Sequence, residues 1–389
     1  MAHYQRIGDV PAKRHTVHRT GDGERLAEEL MGQLGFSGVS SLLYHRHSPS
    51  ALLSAAEEPC RRDEPQPNAA AAPYHLRSDR LSPGADAVTG RHVLMGNDDV
   101  TICFVRSTGT SPLYRNAAGD ELFFVQGGRA RHRSVFGTLE VGPGDYVVVP
   151  ASTTQRWEVD PGPPFEALVL EAGGHIGVPA RYLGPTGQHL EGAPYCERDL
   201  RPPVGPLLEE TTGVEVLVRH RGGWARHTYA HHPFDVVGWD GCVYPFAFAI
   251  TDFEPIVGRI HQPPPVHQTF AGPGFVVCSF VPRPLDFDPS AVPIPYHHAN
   301  TDSDEVLFYV SGEFSSRRGA GIEAGSITVH PSGFIHGPQP GAVEGALGLA
   351  RTDETAVMID TFRPLGITAG AMALADPHYL TSWTDPGTP

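Results

Sequence analysis

Two histidines and one glutamate in the C-terminal part of the sequence have the residue types and spacing of a metal-binding set. They are His298, Glu305 and His336. Two imidazoles and one carboxylate can hold a divalent metal and leave other coordination positions open for reactants. This pattern is typical of non-haem Fe(II) oxygenases. We therefore form the hypothesis of an Fe(II) site at which dioxygen is inserted into an aromatic ring.

Strands separated by glycine turns are expected to position these side chains. Alternation along a strand puts Glu305, Leu307 and Tyr309 on one face, and Val306 and Phe308 on the other. A carboxylate on the inner face of a barrel is costly unless it is paired or binds a metal. The pattern thus predicts that Glu305 faces a barrel interior as a ligand.

A Pro-Ser-Gly turn follows the next predicted strand. His330 and His336 flank this turn. Because the turn reverses the chain between them, both histidines are expected to point toward the same cavity as Glu305.

A proline-rich turn presents two further histidines with catalytic potential. Its sequence from His261 to His267 is His-Gln-Pro-Pro-Pro-Val-His. Prolines fix the backbone and remove hydrogen-bond donors, so the turn is expected to be stiff, with a histidine at each end. A histidine suits a general base because it titrates near neutrality. The turn leaves open whether His261 or His267 has that role, or whether either only caps the turn.

The sequence contains this pattern twice. The matched stretches are 116–127 with 300–312, and 144–155 with 325–336. An internal repeat of this kind predicts two related domains. We place them at residues 1–200, with an extended arm, and 201–389.

The first copy lacks two of the three candidate ligands. Tyr114 stands at the position of His298 and Gln155 at that of His336, whereas Glu121 matches Glu305. A phenol and an amide do not replace two imidazoles as strong iron ligands. The first domain is therefore predicted to be a metal-free scaffold with a degenerate site.

The composition favours short strands and turns, with few short helices. The chain has 389 residues, including 44 glycines and 38 prolines. We expect a short helix from Gly23 to Met31, a strand at 40–44, a long loop or arm at 57–85 and a domain junction at 175–213. The other expected elements are strands at 92–95 and 101–105 and a short helix from Ala369.

Charge and cysteine usage exclude several classes of protein. A net charge of −15 argues against nucleic acid or an anionic membrane as the main partner. The five cysteines are widely spaced and form no CxxC pair, which argues against a disulfide framework and favours a reducing cytoplasm. The first residues lack an apolar signal core, and no apolar run approaches the ~18 residues of a membrane span.

The metal-site pattern resembles the two motifs of cupins. The matching positions are His298, Asn300, Glu305, Gly312, Gly325, Pro331, Gly333 and His336. Asn300 stands where many cupins have another histidine, so three ligands remain. The resemblance implies an all-β fold of two cupin-like barrels, each a double-stranded β-helix or jelly roll.

The whole chain resembles homogentisate 1,2-dioxygenases, particularly a shorter bacterial branch. The stretches that carry the resemblance are 4–9, 28–32, 41–45, 233–239 and 296–340. It implies Fe(II) held by His298, Glu305 and His336, and an acid/base role for His261. It also implies a substrate pocket lined by Tyr296 and His330, a homo-oligomer (trimer or hexamer) and the conversion of homogentisate and O2 to maleylacetoacetate.

Two positions depart from that family. Ala299 replaces an arginine and Phe314 replaces a tyrosine. Both changes remove polar groups near the substrate, so the ring substituents stay open. The alternatives are ring cleavage of another hydroquinone or dihydroxybenzoate such as gentisate, and a cupin isomerase or binding protein with Mn, Zn or Ni, since the ligands alone do not identify the metal.

Overall fold

The computed structural model describes residues 3–59, 62–317 and 319–384, and most of its regular structure is β-strand. The strands of the first part are β1 (Gln5–Gly8), β2 (Ala27–Gly32), β3 (Ser40–His45), β4 (Leu52–Glu57), β5 (Gln66–Pro67), β6 (Tyr74–Arg77), β7 (Gly84–Asp86), β8 (His92–Gly96), β9 (Val100–Gly109), β10 (Tyr114–Asn116), β11 (Glu121–Gly127), β12 (Ala130–Ser134), β13 (Gly137–Val141), β14 (Asp145–Val149), β15 (Thr154–Val159) and β16 (Phe165–Ala172). They include the expected strands at 40–44, 92–95 and 101–105.

The remaining strands follow the long loop region after β16. They are β17 (Thr212–His220), β18 (Gly223–His231), β19 (Val236–Gly241), β20 (Phe246–Ala249), β21 (Gln268–Gly272), β22 (Phe275–Phe280), β23 (Arg283–Pro284), β24 (Asp304–Ser311), β25 (Ser326–His330), β26 (Arg351–Thr352), β27 (Thr355–Thr361) and β28 (Gly366–Ile367). The two α-helices of the described residues are α1 (Ala342–Ala346) and α2 (Ala369–Met372), the second confirming the helix expected from Ala369. Short 3-10 turns lie at Leu34–Phe36, Ser78–Arg80, Ala180–Tyr182, Glu197–Asp199, Ile250–Asp252, Pro264–His267, Ser315–Arg317 and Tyr379–Thr381.

The first repeat forms a barrel from two facing sheets. One sheet has the order β20-β14-β11-β16-β9-β8-β28-β5, with β7 beside β9, and the other has the order β13-β12-β15-β10-β17-β18-β4. Inward side chains such as Phe123, Trp157 and Phe165 fill the space between them and are completely buried. Burial of these aromatic rings supplies a large part of the barrel's hydrophobic stabilisation.

The second repeat builds its barrel around the sheet β21-β22-β27-β24-β25-β6. The strands β23 and β26 form a separate two-stranded sheet. The alternation predicted for β24 is confirmed, because Leu307 and Tyr309 lie in the inner cluster of this barrel whereas Val306 and Phe308 belong to the main core. The fold is thus all-β, with two cupin-like barrels.

The two barrels pack against each other through the outer faces of their sheets. The Phe308 ring lies 6.1 Å from Phe124 and 6.0 Å from Phe104, between ring centroids. The Tyr146 hydroxyl and the Ser279 Oγ are 2.8 Å apart in the same layer. This shared core joins the two repeats into one packed unit.

Two expectations from the sequence are corrected by strand pairing. The segment expected as a helix from Gly23 to Met31 contains β2, which pairs with β3 from Ala27 to Gly32. The segment forms a strand because its pairing with β3 is a tertiary contact, and such contacts routinely override a weak helix propensity. The arm at 57–85 is not only a loop, since β5 pairs with β28 and β6 with β25 of the second repeat.

Strands also pair across the predicted domain boundary near residue 200. β20 extends a sheet of the first barrel by pairing with β14, and β17 pairs with β10. The boundaries 1–200 and 201–389 therefore stay a prediction. The structure describes four cysteines, all free, while Cys60 lies outside the described residues. No helix among the described residues is long and apolar enough to cross a membrane.

Candidate metal centre

The three candidate ligands meet at one end of the second barrel. Glu305 lies on β24, and His298 and His336 lie in the loops before β24 and after β25. Two backbone hydrogen bonds join the histidines, from the His298 N to the His336 O at 2.8 Å and from the His336 N to the His298 O at 2.9 Å. One nitrogen from each ring and one Glu305 oxygen all lie within 4.8 Å of one another.

Backbone carbonyls set the orientation of both ligand rings. The Nδ1 of His298 lies 3.0 Å from the Tyr296 carbonyl oxygen, and the Nδ1 of His336 lies 3.1 Å from that of Phe334. Because a carbonyl only accepts, each Nδ1 is the donor and each Nε2 is left for another partner. Both Nε2 atoms face Glu305, at 3.7 Å for His298 and 3.2 Å for His336. Such outer hydrogen bonds commonly orient histidine ligands of metals.

Glu305 is a buried carboxylate that pairs with histidine imidazoles. Burial opposes its ionisation, but hydrogen bonds with His298, His330 and His336 hold its pKa well below the usual range. The hydrogen bond to Glu305 in turn raises the pKa of His298. Among the described residues, the ion-pair partners of Glu305 are these three histidines. A buried anion surrounded by nitrogen donors is a suitable place for a divalent cation.

His330 is a completely buried third imidazole beside this set. It is the strand partner of Glu305, and its Nδ1 lies 2.9 Å from the Glu305 Oε1. Its Nε2 lies 2.8 Å from the Tyr379 hydroxyl. Burial lowers the pKa of His330 to about 3. Both ring nitrogens of His330 are therefore engaged within the protein.

The C-terminal segment contributes residues that the sequence analysis missed. Tyr379 contacts His330, and the Trp383 Nε1 donates to the Gly337 carbonyl at 3.0 Å. The buried Arg317 donates to the same carbonyl at 2.6 Å and lies over the Trp383 ring. Two aromatic residues four positions apart in the tail were the available signal, because that spacing puts them on one side of a helical turn.

Tyr296 lies between His298 and the proline-rich turn. Its ring is 6.2 Å from that of His298 and 5.4 Å from that of His261, between centroids. Tyr296 is 59% exposed, and His261 is exposed with its Nδ1 3.7 Å from a carboxylate oxygen of Asp286. His267 is instead buried against Phe280, and burial lowers its pKa to about 3.

Asn300 has a structural partner instead of a metal-ligand role. Its Nδ2 donates to the Oδ1 of Asp360 at 3.0 Å, and Asp360 is the strand partner of Glu305 on β27. Burial and the negative charge of Glu305 raise the pKa of Asp360 to about 7. The asparagine thus supports a second carboxyl group beside the ligand set.

In the first barrel, other polar groups surround Glu121, the carboxylate that matches Glu305. Tyr114 pairs with Gln155 as His298 does with His336, and both side chains hydrogen-bond to Glu121, at 3.0 and 3.1 Å. The guanidinium of Arg91 lies 2.6 Å from the same carboxylate. Among the described residues, the ligand group of the second barrel is the one that could hold a metal ion. The first barrel thus has an internal cation beside the carboxylate that matches Glu305, and its being metal-free stays a prediction.

Comparison with known proteins places the chain in a family. A family described as "Homogentisate 1,2-dioxygenase N-terminal" matches residues 62–250. The chain is 41% identical over 387 residues to the "Putative dioxygenase SSO1533" of Saccharolobus solfataricus, covering 98% of this chain and 99% of that protein.

Longer relatives and solved structures also match. A homogentisate 1,2-dioxygenase of Rhodopseudomonas palustris is 28% identical over 73% of this chain and 65% of its own length, and that of Emericella nidulans is 28% identical over 70% and 64%. The chain therefore spans less than two thirds of those two enzymes. A cupin 2 conserved barrel domain protein of Leptotrichia buccalis is 10% identical, covers 74% of this chain and 96% of its own, and has a TM-score of 0.31.

The near-complete alignment to the Saccharolobus solfataricus protein and the matches to named homogentisate dioxygenases agree with the candidate ligand set of the second barrel. The chain belongs to the homogentisate 1,2-dioxygenase family.

Proposed function

We propose that the protein is an Fe(II)-dependent dioxygenase that opens the aromatic ring of homogentisate with O2 and gives maleylacetoacetate, a step of tyrosine and phenylalanine catabolism. The observation that supports this most directly is the convergence of His298, Glu305 and His336 in a chain of this family. Both oxygen atoms of O2 enter the product, so the reaction needs no further oxidant or reductant.

His298, Glu305 and His336 would hold the metal. Bound Fe(II) would supply a redox centre that lowers the phenol pKa and lets electron density pass from the ring to O2. The exposed Tyr296 and His261 mark the side on which the ring would enter. The half-buried Trp383 and the buried Arg317, which both donate to the Gly337 carbonyl, would help to exclude water from the reacting atoms.

His261 is the proposed acceptor of the phenolic proton. It lies next to Tyr296, which in turn lies next to the ligand His298. His267 is less suited, because its ring is buried against Phe280 and its pKa of about 3 is far below neutrality. A general base should have a pKa near the working pH, which argues against His267. The position of His261 beside Tyr296 favours it instead.

The family resemblance implies that Tyr296 and His330 line the substrate pocket, and we propose that role for Tyr296. Tyr296 is 59% exposed, whereas His330 is completely buried. Phe314 is buried against Tyr309, with ring centroids 4.8 Å apart, and offers no polar group to a carboxymethyl substituent.

A second candidate is the same reaction on another hydroquinone or a dihydroxybenzoate such as gentisate. The apolar Ala299 and Phe314 favour it, because they remove polar groups that would select homogentisate. A non-oxygenase cupin with Mn, Zn or Ni has the same ligand set but no supporting feature beyond it. A cytoplasmic location, which the cysteine usage favours, and a trimeric or hexameric assembly, which the resemblance implies, remain predictions.

Anaerobic reconstitution with Fe(II) tests the proposal. The loaded protein is mixed with O2 and homogentisate, gentisate or unsubstituted hydroquinone, while oxygen consumption and product absorbance are followed. We expect stoichiometric O2 uptake with homogentisate and a ring-opened product. Faster uptake with another diphenol would establish the second candidate. Turnover with Mn, Zn or Ni in the absence of O2 would contradict a dioxygenase.

A further inference from the structure

A buried pair, Tyr379 and His330, stands directly behind the ligand carboxylate. The Tyr379 hydroxyl lies 2.8 Å from the His330 Nε2, and the His330 Nδ1 lies 2.9 Å from the Glu305 Oε1. Tyr379 is 1% exposed and His330 is 0% exposed. Neither side chain has a surface that faces the solvent, although both lie within one or two hydrogen bonds of a proposed metal ligand.

We propose that Tyr379 and His330 form a positioning pair, which holds the Glu305 carboxylate for the metal instead of contacting the substrate. This inference rests on the proposed function. A carboxylate accepts hydrogen bonds, so the His330 Nδ1 donates to the Glu305 Oε1. That bond fixes the rotation of the carboxylate group, and the hydroxyl of Tyr379 fixes the imidazole. Outer-layer hydrogen bonds of this kind typically change metal affinity 10–100-fold.

The first barrel acts as an internal control for this inference. Glu121 has Val149 as its strand partner, where Glu305 has His330. The Glu121 carboxylate is held by the Arg91 guanidinium instead. An imidazole therefore lies beside the carboxylate in the second barrel, which has the candidate metal ligands, and is absent at the matching position of the first barrel, which has Val149.

Hydrogen bonds anchor the C-terminal segment on both sides of Tyr379. The Asp376 N donates to the His75 carbonyl on β6, and the Arg77 N donates to the Leu374 carbonyl. Gln339 donates to the Ser382 Oγ at 3.0 Å, and Trp383 donates to Gly337, the residue after His336. The segment thus reaches the ligand loop at several points, with Tyr379 held between them.

A role for His330 in contacting the substrate would require a free ring nitrogen. Both nitrogens already have partners at hydrogen-bond distance, and a substrate could bind there only by breaking one of these bonds. Losing a hydrogen-bond partner inside a buried site is costly, because no water replaces it. The geometry therefore favours the positioning role over the pocket-lining role.

Tyr379→Phe tests the pair, with Tyr309→Phe as the matched control. The Tyr309 hydroxyl is also buried, but its hydrogen-bond partners are Arg317 and Thr328, and neither His330 nor a proposed ligand is among them. The dissociation constant for Fe(II) is measured anaerobically on the full chain by competition with a ferrous chelator. The apparent KM for homogentisate and the Tm of the metal-free protein are measured in parallel.

We expect Tyr379→Phe to weaken Fe(II) binding about 10-fold or more, with KM unchanged once the site is saturated with iron. Tyr309→Phe should lower the Tm comparably and leave Fe(II) affinity as in the unaltered protein. His330→Gln, which keeps a donor toward Glu305, should weaken Fe(II) binding less than His330→Ala.

Three results would overturn the positioning role. They are an unchanged Fe(II) affinity in Tyr379→Phe, a raised KM with unchanged Fe(II) affinity, and no Fe(II) binding by the unaltered protein. The affinity measurement needs no substrate. If Fe(II) affinity depends on Tyr379 but the protein does not consume O2 with homogentisate, the proposed reaction is refuted and the positioning pair stands.

Discussion

At the scale of single residues, the difference between the barrels lies in what neutralises one carboxylate. Glu121 has an arginine, a phenol and an amide within 3.1 Å or less, whereas Glu305 has imidazoles. A guanidinium is always charged and cannot be displaced by a metal without leaving a buried cation. Imidazoles lose their protons readily and can bind a metal instead. The same strand position therefore gives a structural ion pair in one barrel and a candidate metal site in the other.

His261 should be needed for turnover and not for metal binding. In His261→Asn, we expect the Fe(II) content to stay as in the unaltered protein and kcat to fall about 100-fold or more, because a general base typically contributes 10²–10⁴. Iron analysis and O2 uptake check this. His267→Asn is the matched control from the other end of the turn and should retain most turnover. The opposite ranking would transfer the role of base to His267.

At the scale of elements, the sequence predicted what depends on local periodicity. The alternation of β24, the turn between His330 and His336, and the repeat of the ligand strands are all set by neighbouring residues. The pairing of β6 with β25 was not predictable, because the two segments are far apart in sequence and β6 lies in a proline-rich arm. The place of β2 in a sheet, and of Tyr379 behind His330, depended on long-range contacts for the same reason.

The buried charges of the first barrel form a network that should be costly to open. Glu171 is bound by Arg62, Arg91 and Arg219 at 2.6–2.8 Å, and Arg91 also binds Glu121. Arg91→Met should lower the free energy of unfolding by about 3–5 kcal/mol, since it leaves Glu121 without its cation. Urea denaturation measures this. The double change Arg91→Met with Glu121→Gln should recover part of the loss, and an equal or greater loss in the double variant would contradict the account.

The sheet β1-β19-β3-β2 depends on a buried histidine and should weaken at alkaline pH. His45 lies 2.6 Å from Asp235 and 3.0 Å from Glu29. Burial opposes its charging, but these carboxylates raise its pKa to about 9. A raised pKa gives stabilisation that is fully present below the unfolded value of about 6.5 and is lost as pH rises through about 9.

The pH dependence of unfolding measures this contribution. We expect the free energy of unfolding to fall by up to about 3 kcal/mol between pH 6.5 and pH 9.5, and His45→Gln to remove most of that slope while lowering stability at neutral pH. A slope that persists in His45→Gln would show that other groups cause it.

At the scale of the whole molecule, the two repeats are not independent. Outer sheet faces meet through Phe124 and Phe308, and β6 from the first half completes the sheet that carries Glu305. The arm also anchors the C-terminal segment, through the hydrogen bond between Asp376 and His75. The first barrel thus supports the second, because its sheet packs on the core layer that the two barrels share.

A fragment that begins at residue 201 should therefore fail to form the site. It lacks β6 and exposes the core layer that the first barrel covers, so we expect no cooperative thermal transition and no Fe(II) binding. Circular dichroism melting and iron analysis of the fragment and the full chain make the comparison. A folded, iron-binding fragment would show that the second barrel is self-sufficient.

The iron content of two matched variants tests the central claim most directly. Full-length protein, His336→Ala and Gln155→Ala are loaded anaerobically with Fe(II), freed of excess metal and analysed for iron per chain, with circular dichroism as the check on folding. We predict one iron per chain in the unaltered protein and in Gln155→Ala, and almost none in His336→Ala. Iron retained by folded His336→Ala, or lost from folded Gln155→Ala, would contradict a single ferrous site in the second barrel.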